Sequence, residues 1–196
     1  MTNEKMLKYL QEEQAHGFNY AECKKLIEEI KADILHDEAK KSKRLNPQKA
    51  ALRIIKSAKT TGRPYLFGAF MEDDKQYVCD GARAVEFFEA LPLPPTPDPN
   101  NPNRINVKKI IDTVQNEATT HLQLPGITYL RAYVKTNKNQ FYDFGKNCPA
   151  VNPKYLLDIM EALPECTAKA SRPLAPIYFE APTGRALLFP VHKQED

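Results

Sequence analysis

Lys49, Arg53, Lys56 and Lys59 recur at four- and three-residue steps. On a helix such steps place side chains in one arc, with Ala51, Ile54, Ile55 and Ala58 falling opposite. Four like charges on one face gain nothing from intrahelical pairing. They suit phosphate oxygens, which lysine and arginine neutralise whatever the base sequence. A solvated helix face accounts for the same pattern without a ligand. "DGAR", Asp80 to Arg83, is a second constellation. It either holds a charged pair for a substrate or simply turns or bulges a strand at Gly81. "EDD" at 72–74 reads as a metal-binding carboxylate cluster or, between two strand-like runs, as a solvated turn.

Other catalytic patterns are missing from the sequence. His16, His36, His121 and His192 are isolated, with no H-x-x-x-H pair to hold zinc. There is no G-x-S-x-G, no phosphate-binding loop and no glycine-rich dinucleotide turn. Cys23, Cys79, Cys148 and Cys166 are scattered without C-x-x-C spacing, which predicts reduced thiols rather than a metal site or a disulfide scaffold. The expectation is a protein with no catalytic residue, no metal and no cofactor. A net charge of +3 is too small to imply nucleic acid by itself, so any such argument rests on where the charges sit. No apolar run approaches a membrane span and the first residues lack a signal-peptide core, which predicts a cytoplasmic protein without a membrane partner.

The elements that position these residues follow from periodicity. Residues 1–45 read as a helical hairpin, broken at "HGFN", with Cys23, Ile27, Ile30 and Ile34 as an apolar stripe. From residue 46 a repeat emerges: "NPQKAALRIIKSA", "NVKKIIDTVQNEA" and "NPKYLLDIMEALP" each start at asparagine and continue as an amphipathic helix. Asn46, Asn106 and Asn152 suit the cap, and Pro47 and Pro153 the first turn. Strand-like material follows each helix, including "ITYLRAYVKTNKNQFYDFG" as a hairpin turning at "TNKNQ" and "APIYFEAPTGRALLFPV" turning at "APTG". The whole predicts an α+β fold with a largely antiparallel sheet: a helical extension over 1–45 and one α+β domain over 46–196. "LPLPPTPDPNNPN" reads as an extended surface connector. Pro190 belongs on an edge strand or at a strand's last pairing, so the last strand is either an ordinary edge or a surface that something else uses.

Two segments resemble the bacterial sliding clamp family, the β subunit of the replicative DNA polymerase. "VNPKYLLDIMEALP" followed by "PIYFEAPTGRALLFPVHK" is similar to its closing helix and strands, with Asn152, Tyr155, Leu156, Leu157 and Asp158 matching the helix. Phe189, Pro190 and Val191 match its terminal apolar-Pro-apolar motif, and Asp80, Gly81 and Arg83 its D-G-x-R strand end. The resemblance implies a DNA-clamp-like fold over roughly 46–192 and a non-enzymatic, replication-linked role with sequence-independent DNA contact. It also implies a pocket for linear peptides of DNA-handling proteins. Leu187, Phe189, Pro190 and Val191 would form one wall of that pocket, and Cys79, Gly81 and Ala84 the other. The two walls would meet within one chain or between protomers of a homo-oligomer. The chain is far too short for a three-domain clamp subunit, which suggests a phage or mobile-element relative. The alternative is a clamp-fold interaction module that binds peptides and not DNA.

Overall fold

The computed structural model describes residues 6–8, 10–11, 20–102, 105–137 and 141–191. Residues 6–8 and 10–11 are helical, and five further α-helices follow: α1 (Tyr20–Lys41), α2 (Leu45–Ala58), α3 (Val107–Glu117), α4 (Ile127–Thr136) and α5 (Pro153–Ala162). The strands are β1 (Phe70–Glu72), β2 (Lys75–Cys79), β3 (Arg83–Phe87), β4 (Thr120–Leu122), β5 (Tyr142–Asp143), β6 (Ala150–Val151), β7 (Thr167–Ala170), β8 (Ile177–Ala181) and β9 (Gly184–Leu188). Seven strands form one antiparallel sheet in the order β1-β2-β3-β9-β8-β7-β4, while β5 and β6 make a separate hairpin. The protein is thus mixed α and β with a largely antiparallel sheet, as its sequence leads one to expect.

Strand β9 sits at the centre of that sheet, between β3 and β8. Of the two places Pro190 allows, the end of a strand's pairing holds and the sheet edge does not. Ladder pairing ends at Leu188, and the Phe189 N–H makes one more bond, to the Ala82 carbonyl at 2.9 Å. Pro190 stands one residue beyond, where no donor is needed. At the other end, a Cβ on Gly184 would lie 2.1 Å from the Glu86 carbonyl oxygen, so only glycine allows β9 to approach β3 this closely.

A pseudo-two-fold relates the halves of the sheet. Helix α2 leads into the meander β1-β2-β3, and α5 leads into β7-β8-β9. The last strands of the two units pair antiparallel about Val85 and Ala186. Gln76 faces Phe87 in one hairpin, and Ile177 faces Leu188 at the corresponding place in the other. The register of β2 with β3 thus repeats in β8 with β9, while β4 beside β7 has no counterpart strand, and the two sequences share little beyond asparagine, proline and apolar spacing.

Side chains alternate across the pleat into two cores. On one face Val78, Val85, Phe87, Ile177, Phe179 and Leu188 meet Ile54 and Ile55 of α2, Leu156 and Ile159 of α5, and Leu130 of α4. On the other face Tyr77, Cys79, Ala84, Tyr178 and Leu187 are covered by Val107, Ile111 and Val114 of α3. Arg185 fixes α3 there, donating to Glu86 of β3 and to Asp112 and Gln115 of α3, the latter two at 2.9 and 2.8 Å. Asn106 and Asn152 cap α3 and α5 as expected, accepting from Lys109 and Lys154 backbone N–H groups at 2.8 and 2.9 Å. Asn46 does not cap α2, which starts at Leu45 with Arg44 in the cap position.

The middle unit departs from the expected repeat. Residues 127–136 form helix α4 instead of a strand. Its β-branched and aromatic residues favour a strand locally, but Ile127, Leu130 and Val134 follow a helical step and Leu130 is fully buried. Tertiary burial overrode local preference. Much of the expected "TNKNQ" turn lies outside the described residues.

The proline-rich connector is extended, as read, but it is tightly held. Leu91, Leu93 and Thr96 are buried, and the Gln76 side chain exchanges two hydrogen bonds with the Leu91 backbone, at 3.0 and 2.9 Å. Ala69 pairs with the connector through Pro94 and Thr96 at 2.8 Å each, which shields the sheet beside β1. In the N-terminal segment Leu10, Ile27 and Ile30 bury one another with Met6, Leu7 and Ile34, a small core apart from the other two. Gln48 joins α1 to α2 by donating to the Leu35 carbonyl at 2.8 Å. The expected break at "HGFN" and His192 lie outside the described residues.

Candidate functional site

Helices α2, α5 and α4 lie side by side over one face of the sheet. Lys49, Arg53, Lys56 and Lys59 all point outward from the α2 side, opposite the buried Ala51, Ile54, Ile55 and Ala58. Arg53 is nevertheless committed within the protein. Its guanidinium donates to Asp158 and Glu161 on α5. Desolvation works against its charge, but the hydrogen bond and charge of Asp158, followed by those of Glu161, raise its pKa above the ordinary arginine value. Lys49, Lys56 and Lys59 make no ion pair with any described residue. The phosphate-compatible part of the stripe is thus these three lysines.

Beneath Arg53 lies a network that joins the two distant motifs of the sequence. Gly81 takes φ +89° in the β2–β3 turn, where Asp80 Oδ1 accepts from the backbone N–H groups of Ala82 and Arg83, both at 3.0 Å. Asp80 Oδ2 accepts from Arg83 Nε at 3.0 Å. The Arg83 side chain, only 2% exposed, donates through Nη1 to Asp158 and lies 4.2 Å from the Tyr155 ring centre. Arg131 of α4 closes the chain by donating to Glu161 at 3.0 and 2.8 Å. Three guanidinium groups and three carboxylates alternate, Asp80–Arg83–Asp158–Arg53–Glu161–Arg131, with no net charge.

This arrangement locks α5, α2 and α4 onto the end of the β2–β3 hairpin. Its inner pair, Asp80 and Arg83, satisfies itself in a site closed to solvent, so neither group is presented to a substrate. Asp158 and Glu161 were not expected from the sequence as partners of Arg53. The available signal was a carboxylate at 158 among Tyr155, Leu156 and Ile159 on an otherwise apolar face, which demands a cation.

The residues expected to wall a peptide pocket come together within one chain. Cys79, Ala84 and Leu187 are register neighbours on β2, β3 and β9. They are adjacent strands of one sheet, however, and not facing walls. All three are buried under α3, and burial pushes the Cys79 thiol up to about 11. Gly81 lies at the hairpin turn. The accessible members are Phe189, 38% exposed, with the partly buried Pro190 and Val191. The Val191 N–H bonds the Ala150 carbonyl at 2.8 Å, which ties the segment to β6.

"EDD" is a hairpin turn: Asp73 and Asp74 both take positive φ between β1 and β2. Among the described residues no cluster of histidine, cysteine or carboxylate side chains could hold a metal ion. No described helix is long and apolar enough to cross a membrane. Neither a protein-family model, nor a curated protein, nor a solved structure matches this chain.

Proposed function

We propose that this protein is a non-enzymatic, DNA-associated binding module with a DNA-clamp-like fold over residues 46–196 and a helical extension before it. The observation that carries the reading is the pseudo-two-fold. A helix followed by a three-stranded meander occurs twice, the third strands pair, and both helices lie on one face of the sheet. That is the helix-plus-strands repeat of the clamp resemblance, doubled within one domain. The D-G-x-R and Y-L-L-D segments that suggest the family also meet here, through the Arg83–Asp158 ion pair.

In this reading Lys49, Lys56 and Lys59 contact phosphates without reading bases, while Arg53 holds the helices together. Binding to duplex DNA by anisotropy is the test. Weak binding that is blind to sequence and falls steeply with salt supports it; no binding at low salt overturns it.

A second reading is a clamp-fold interaction module that takes linear peptides and not DNA. Two observations favour it: the carboxylates that engage Arg53, and the accessible Phe189–Pro190–Val191 end. An extended peptide with leucine or aromatic anchors would bury Phe189.

A further inference from the structure

The outer edge of α4 and the β5–β6 hairpin carries a set of aromatic rings interleaved with cations: "YLRAYVKTNKNQFYDFGK". From Tyr129 to Lys146 the sequence holds four lysine or arginine residues and one acid, Asp143, and of these cations Arg131 is engaged by Glu161. This segment is cationic, though less so than Lys40 to Arg63, which holds nine lysine or arginine residues and no acid.

The rings form a continuous series. Tyr129 and Tyr133 of α4 lie 6.1 Å apart, Tyr133 and Tyr142 of β5 5.7 Å, and Tyr142 and Phe144 5.1 Å. The inner rings, Tyr142 and Phe144, pack against the main core. Tyr133 donates its hydroxyl to the Phe141 carbonyl at 2.9 Å, which fixes the hairpin against the helix. Tyr129 and Phe141 do neither job. Their side chains are turned to solvent, 58% and 46% exposed. Lys135 on α4 and Lys146 at the hairpin turn are exposed on the same two segments.

We propose that this edge binds single-stranded nucleic acid, with bases stacked on Tyr129 and Phe141 and phosphates neutralised by Lys135 and Lys146. Exposed apolar rings mark an interaction surface, and the cation surplus around them selects an anionic partner. A nucleic acid backbone supplies that charge together with flat apolar faces that suit aromatic rings. In a duplex those faces are hidden in the stack, so open rings favour an unpaired strand. The site is separate from the lysines of α2 and does not depend on the clamp-like reading.

Fluorescence anisotropy of a labelled oligothymidylate of about twelve nucleotides, a length that spans a typical single-strand site, tests the proposal on the full chain. Binding should weaken as salt rises. Tyr129→Ala and Phe141→Ala should each weaken it by roughly tenfold, the usual effect of removing one stacking ring. Melting should be unchanged, because both rings are exposed, and Tyr129→Phe should bind like the parent. Lys135→Glu with Lys146→Glu should flatten the salt dependence. The proposal fails if oligothymidylate does not bind at low salt, or if the ring variants bind as tightly as the parent. It also fails if the rings prove to mediate self-association in place of nucleic acid binding. Lys49→Glu/Lys56→Glu/Lys59→Glu should leave this binding intact, so failure here and failure of duplex binding are distinguishable.

Discussion

Replacing Arg83 with methionine should remove about 3–5 kcal/mol of folding stability, because it breaks a buried ion pair on one side only. The methionine fills similar space, so little of the loss comes from a cavity. What remains is the Asp80 carboxylate, 1% exposed, without its guanidinium, and Asp158, 10% exposed, with Arg53 as its one remaining cation. The contact with Tyr155 goes as well. A domain of this size has about 5–15 kcal/mol in total, so the change is a large share of it. Urea unfolding followed by circular dichroism measures the effect as a lower midpoint at unchanged slope. Arg53→Met is the internal control. Its side chain is 44% exposed, and water can solvate what its loss uncovers, so its cost should be well below that of Arg83→Met. If Arg83→Met costs less than about 1 kcal/mol, the range of a surface pair, the network does not anchor α5 as described.

Three further outcomes follow from burial. Burial holds the Cys79 thiol at about 11, above its ordinary 9.0, so its contribution to stability is complete below pH 9 and lost as pH rises towards 11. That loss is about 3 kcal/mol, and Cys79→Ala should make the alkaline fall in urea midpoint shallower; an unchanged fall would contradict it. Phe189→Ser should cost about 1–2 kcal/mol in stability, since the ring is partly solvated, whereas Leu187→Ala should cost about 2–5. Equal large losses on thermal melting would make Phe189 a core residue with no surface to offer a peptide. A fragment starting at Leu45 should still unfold cooperatively, about 1–2 kcal/mol less stable for the lost Gln48–Leu35 hydrogen bond; a broad, non-cooperative melt would place the domain boundary elsewhere.

Much of the fold was legible because it is written locally. The apolar stripes of α2, α3 and α5, the caps at Asn106 and Asn152, and the turn between β8 and β9 each depend on residues a few positions apart. What depended on distant partners was not. The central place of β9 is set by its pairing with the distant β3, and Pro190 alone could not separate a sheet edge from the end of a strand's pairing, which is where it lies. The strand-like composition of α4 hid a helical burial pattern that only α5 and the sheet make decisive. Arg53 looked free because its acids lie over a hundred residues away on α5. For Asp80 and Arg83 the sequence left open a charged pair for a substrate or a turn at Gly81; that they are a buried structural pair could be read only once Asp158 and Tyr155 were in place.

The reading of this protein as a DNA-associated module stands on the α2 face, and a salt titration of duplex DNA binding examines that face directly. Anisotropy would be followed across a range of salt for the parent chain and for Lys49→Glu/Lys56→Glu/Lys59→Glu, with Arg53 kept to preserve the fold. The parent should bind random-sequence duplexes alike, and loss of three phosphate contacts should lower the slope of log affinity against log salt by about 3. A parent that binds no duplex at low salt, or a triple variant with the parent's slope, would contradict it.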